Sequence, residues 1–187
     1  MRLAPLTVVM VWLACGIFVG VKFEERDAKQ NPGAKVRSWG AVEQMTRSVK
    51  APYETEFRPV KGLSGPFKVW RGEWYRVIVN AFQHGDLLHL IFNGWALLYL
   101  GRILEPRMTR FGFLAFFLGA ATISMVAEAL VLNYAIGLSG VACAMIGLLM
   151  VWRDRDEEVA EECPYSLILL CGGWVVVAQV LTYVGFM

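Results

Sequence analysis

The sequence predicts an all-α polytopic membrane protein, a helical bundle with one long polar loop. Three observations carry that prediction. Hydrophobic residues make up 57% of the 187 positions and charged residues 18%, where soluble domains carry about 25% charged residues. The apolar residues gather into five runs, most of them near the roughly 20 residues that a spanning helix needs. Outside the loop, polar residues fall at a few places within those runs, where each is expensive and therefore a functional suspect. A net charge of +2 provides no global basic field, so no nucleic-acid partner is expected. The four cysteines (Cys15, Cys143, Cys163, Cys171) are scattered and form neither a disulfide framework nor a zinc pattern.

The first transmembrane helix occupies residues 1–21, with its apolar run at Leu3–Val21. No small-residue cleavage site follows, so it reads as an anchor and not a removed signal. Residues 22–76 form a long outer loop. Its Asn31-Pro32-Gly33, Ala51-Pro52 and Gly65-Pro66 punctuation suggests a structured loop with short surface helices. Residues 77–187 are the core. Span two runs from about Asp86 to Leu104, span three from Phe111 to about Tyr134, and span four from Gly137 to Trp152, which is short. Span five is Tyr165–Met187.

Arg102, Arg107 and Arg110 against Glu105 place the turn after span two in the cytoplasm, and with it the amino terminus. The acidic segment Asp154–Glu162 then lies inside as a solvated connector. Spans two and four run parallel, so their first turns meet at one depth near the outer face. Trp12, Trp70, Trp74, Trp95, Trp152 and Tyr165 fit an interfacial aromatic belt. The short amino-terminal tail is compatible with a bacterial-type inner membrane.

Span two opens on His84-Gly85-Asp86-Leu87-Leu88-His89-Leu90-Ile91-Phe92-Asn93. Asp86 is a plausible helix N-cap, which puts His89 in the first turn. His89 and Asn93 are four apart and share a face. They read either as interhelical hydrogen-bonding groups or as donors aimed at a reaction centre. His84 and His89, five apart, would point to different faces, which argues against zinc.

Span four opens on Gly137-Leu138-Ser139-Gly140. The glycines allow a tight turn and close backbone approach. The serine stands where unpaired N–H groups and the positive end of a helix dipole favour an oxyanion. It reads as a plain N-cap or as a nucleophile. Gly140, Ala144 and Gly147 form a small-residue packing stripe, and Cys143 reads as a small buried hydrophobe. Glu128, in span three, has no assigned task.

Together these pieces resemble the rhomboid family of intramembrane serine proteases. The resemblance runs through Glu73-Trp74-Tyr75-Arg76, His89-x-x-x-Asn93, Gly101-Arg102 with Glu105, and Gly137-x-Ser139-Gly140, in register over about residues 70–187. It implies that Ser139 attacks a peptide bond of a transmembrane protein substrate. His89, Asn93 and the Ser139 N–H would stabilise the oxyanion, with His84, Gly137 and Gly140 supporting the site. Arg76, Glu105 and Arg107 would be structural. No metal or organic cofactor is implied, and the lipid bilayer is the expected surrounding partner.

The family's base histidine lies on a sixth helix, whereas both histidines of these 187 residues belong to span two. The expectation is a chain that stops before that helix and is inactive as it stands, because a serine without a base is a poor nucleophile. The competing expectation is a non-catalytic rhomboid-like protein that binds transmembrane clients.

Overall fold

A chain in hydrocarbon must satisfy its backbone polar groups within each segment, and helices do so. The computed structural model describes residues 4–30, 74–132 and 136–183, and among them the regular structure is helical throughout. The elements are α1 (Pro5–Gln30), α2 (Tyr75–Ala81), α3 (Leu87–Leu104), a 3₁₀ turn (Glu105–Arg107), α4 (Arg110–Leu132), α5 (Ser139–Arg153), α6 (Glu157–Glu162) and α7 (Tyr165–Tyr183).

Among the described residues three stretches are long and apolar enough to cross a membrane: Pro5–Phe23, Leu87–Arg107 and Arg110–Glu128. This makes the chain a multi-pass membrane protein. The sequence suggested five spans. α5 has 15 residues, about 22 Å at 1.5 Å per residue, while α7 is an apolar helix of 19 residues. The shortness of α5 has a local cause. Its entry turn is tied to α2 by a hydrogen bond from Gly137 N–H to the Asn80 carbonyl at 3.1 Å.

α5 is the hub of the bundle, packing against α3, α4, α6 and α7. Its Val141, Ala142, Met145 and Leu149 are buried with Leu97, Leu100 and Leu104 of α3 and Phe113, Phe117 and Ala121 of α4. Phe92 of α3 and Trp174 of α7 stack with ring centroids 3.6 Å apart.

α1 docks on α3 through a buried carboxylate. Glu105 is 6% exposed, and it accepts from Leu6 N–H at 2.9 Å, Thr7 N–H at 2.8 Å and the Thr7 hydroxyl at 2.7 Å. These N–H groups belong to the first turn of α1, where no intrahelical acceptor exists. Gly101, one turn earlier on α3, sits directly against the Thr7 side chain, leaving no room for a Cβ. Arg107 ties the same end to α6. Its Nη1 donates to the Ile103 carbonyl at 2.7 Å and to Glu162 Oε2 at 2.8 Å, and Nη2 lies 3.4 Å from Glu158 Oε2.

Several expectations are corrected. α1 continues to Gln30, past the boundary at residue 21, because Lys22, Glu24, Glu25, Arg26, Ala28 and Lys29 favour helix whether or not lipid surrounds them. The acidic segment is not a plain solvated connector: Glu157–Glu162 is helical, Asp156 caps it through Glu158 N–H and Val159 N–H, and Arg107 holds it. Cys143 is exposed and not buried, since the buried face of α5 is the Val141–Met145–Leu149 side. The outer loop lies outside the described residues from 31 to 73.

Candidate active site

The site is assembled where α3 and α5 begin. Asp86, with extended backbone, caps α3 by accepting from His89 N–H at 2.9 Å, as the sequence suggested. That cap fixes the first turn and sets His89 on it. Asn93 follows one turn later, 6% exposed.

The turn before α5 brings backbone onto these two side chains. Gly137 has φ +96, a conformation that glycine adopts without steric cost. A Cβ on Gly137 would lie 2.8 Å from His89 Nε2, 3.0 Å from Cε1 and 3.4 Å from Asn93 Nδ2. The absence of a side chain is therefore required twice, by the φ angle and by the ring. Gly140 is equally confined, with Ser124 of α4 occupying the space a Cβ would need. Ser124, whose hydroxyl donates to the Ala121 carbonyl at 3.2 Å, was not singled out in the sequence. A serine in an apolar span, facing a glycine of the next, was the available signal.

Ser139 is the first helical residue of α5 and is half-buried. Leu138, not Ser139, occupies the N-cap position, so the serine hydroxyl is not needed for capping. The first intrahelical bond runs from Ala142 N–H to the Leu138 carbonyl at 3.0 Å. The N–H groups of Ser139, Gly140 and Val141 precede it and present the positive end of the helix dipole.

His84 corrects a sequence expectation. It and His89 do not point apart: their rings meet edge to face with centroids 5.0 Å apart. The periodicity argument fails because α3 starts at Leu87, leaving His84 on the preceding turn. His84 is 2% exposed. Its Nδ1 donates to the Phe82 carbonyl at 3.1 Å, which leaves Nε2 with the lone pair. Burial, reinforced by the neighbouring His89, pushes its pKa down to about 4 against the smaller opposing pull of the Phe82 carbonyl and Asp86. His84 is therefore neutral near pH 7.

Two buried atoms at the site have no hydrogen-bond partner among the described residues, Asn93 Nδ2 and His84 Nε2. A buried donor without an acceptor costs about 1–3 kcal/mol, so Asn93 is held ready to donate at some stability cost. Among the described residues no group of three His, Cys, Asp or Glu side chains is placed to hold a metal ion. Arg76 lies in α2, and its side chain is outside the described residues. Glu128 is half-buried on α4 and within electrostatic range of Cys143, one turn beyond Ser139.

Comparison with known proteins bears on this arrangement. A protein-family model described as Rhomboid domain matches residues 71–186. RHOMBOID-like protein 9, chloroplastic, from Arabidopsis thaliana is 28% identical over 100 residues, which cover 51% of this chain and 22% of that protein. The match thus covers about a fifth of the length of that relative.

Proposed function

This chain belongs to the rhomboid family, and on that premise we propose that it acts as an intramembrane serine endopeptidase on membrane-anchored proteins. One observation carries the reading most: the Gly137 turn lies against His89 and Asn93, at the mouth of the helix that begins with Ser139. In this reading the Ser139 hydroxyl passes its proton to a general base as Oγ attacks the scissile carbonyl carbon, and the carbonyl oxygen becomes an oxyanion. Its collapse breaks the C–N bond, the amine leaving with that proton. His89, Asn93 Nδ2 and the Ser139 N–H donate to the oxyanion. Groups fixed on helices need little reorganisation as the charge develops, which is why such donors are effective. The two histidines of the 187 residues are assigned to the oxyanion site and its support, so the general base is neither of them. His84 backs the site, and Glu105, Arg107 and Arg76 hold the scaffold.

The bilayer delivers substrate laterally, so the partners are transmembrane proteins and lipid. Arg102, Arg107 and Arg110 at the end opposite Ser139 support a cytoplasmic amino terminus with the site toward the outer face of a bacterial-type inner membrane. The test uses protein expressed from its own gene and a membrane-anchored reporter. Ser139→Ala is expected to abolish cleavage, and undiminished cleavage would overturn the reading.

A second reading, a non-catalytic protein that binds transmembrane clients, is favoured by the placement of both histidines of the 187 residues together at the start of α3, where this reading gives them no role as base. It predicts that photo-crosslinked client capture is indifferent to Ser139→Ala, with no cleavage by either form.

A further inference from the structure

The end of the bundle opposite Ser139 carries an arrangement that proteolysis does not use. Ile91, Trp95, Leu98 and Arg102 of α3 are all exposed. Steps of four, three and four residues place them on one stripe of the helix. On a spanning helix such a stripe faces acyl chains, and its last member reaches the headgroup layer.

An arginine ending such a stripe would ordinarily sample many snorkelling rotamers. Arg102 is held. Its guanidinium carbon lies 4.2 Å from the centroid of the Tyr99 ring, within cation–π range. Tyr99 is itself placed: its hydroxyl donates to the Glu162 carbonyl at 3.4 Å, and its ring centroid is 6.0 Å from that of Trp95. The backbone beneath is fixed, since Gly101 abuts Thr7 and Glu105 caps α1. Glu158 and Glu162 are engaged by Arg107, and among the described residues Arg102 makes no salt bridge.

A guanidinium lying on a ring keeps its edge N–H groups open in a planar fork that matches two phosphate oxygens. Preorganisation lowers the entropy lost on binding. The charge complement of one uncompensated cation is a net anion, not a zwitterion that carries its own ammonium.

We propose that Arg102, laid on Tyr99 at the end of the Ile91–Trp95–Leu98 stripe, binds the phosphodiester of an acidic phospholipid whose acyl chains follow that stripe. The whole chain, delipidated in detergent micelles, is incubated with equal amounts of phosphatidylglycerol and phosphatidylcholine bearing identical acyl chains. Native mass spectrometry then counts the retained lipids. Wild-type protein is expected to retain phosphatidylglycerol in preference. Arg102→Gln should lose about fivefold of that retention, and Tyr99→Leu about threefold. Arg110→Gln, which removes an exposed charge next to the 3₁₀ turn, should keep it. Unchanged retention in Arg102→Gln, an equal loss in Arg110→Gln, or equal retention of both lipids by wild type would each overturn the assignment. Arg102 is exposed, so its replacement leaves the core intact, and that variant decides the matter if Tyr99→Leu fails to fold.

Discussion

Replacing Glu105 with alanine removes one carboxylate that serves three donors at once. Leu6 N–H, Thr7 N–H and the Thr7 hydroxyl all lie 2.7–2.9 Å from its oxygens. A hydrogen bond to a charged group contributes roughly 1.5–3 kcal/mol, and the carboxylate also meets the positive end of the α1 dipole. A straight sum overshoots, because the donors share one acceptor group and solvent can partly replace it at a helix end. The expected loss is about 3–5 kcal/mol, the range for removing one partner from a buried charged contact. The assay is reversible unfolding in mixed micelles titrated with denaturing detergent, followed by circular dichroism. Thr7→Val alone should cost about 1 kcal/mol. Its effect should shrink when Glu105 is already alanine, giving a coupling of at least about 0.5 kcal/mol. A loss below about 1 kcal/mol for Glu105→Ala, or strict additivity of the two changes, would refute the reasoning that this contact docks α1.

Three further outcomes are expected from the site itself. His84 titrates at about 4 when folded and near its ordinary 6.5 when unfolded, so the unfolded chain binds the proton more readily. Stability should therefore fall as pH drops from about 6.5 to about 4, by on the order of 3 kcal/mol. Unfolding midpoints measured across that range check it, and the slope should flatten in His84→Asn. Gly137→Ala places a methyl group against His89 at a positive φ. It should lower kcat at least about tenfold through misplaced groups while circular dichroism stays unchanged. Asn93→Ala removes one donor and should lower kcat about 100- to 1,000-fold with KM nearly unchanged; a rise in KM alone would instead mark Asn93 as a substrate-binding group.

What the sequence made legible was local. Apolar runs announced α1, α3 and α4, since hydrocarbon demands continuous hydrophobicity. Asp86 announced the start of α3 because capping chemistry acts within three residues, and the glycines around Ser139 announced a tight entry into α5. Contacts between distant residues stayed hidden. Glu105 and Thr7 are 98 apart in the chain, and Arg107 and Glu162 are 55 apart; no spacing rule links either pair. His84 was misjudged for a different reason, since helical periodicity was carried across a turn that is not helix. The charged end of α1 was read as loop because the end of lipid-compatible sequence was equated with the end of the helix. Cys143 was judged by residue type, whereas its exposure depends on which face of α5 meets α3 and α4.

The central claim is that Ser139 is the nucleophile of a site built on His89, Asn93 and the Gly137 turn. Protein expressed from its own gene, in native membranes, is treated with a serine-directed fluorophosphonate and the adduct is located by peptide mass spectrometry. The account predicts one adduct, on the peptide containing Ser139, that disappears in Ser139→Ala and weakens in Asn93→Ala. An unmodified Ser139, or equal labelling of wild type and Ser139→Ala, would contradict it.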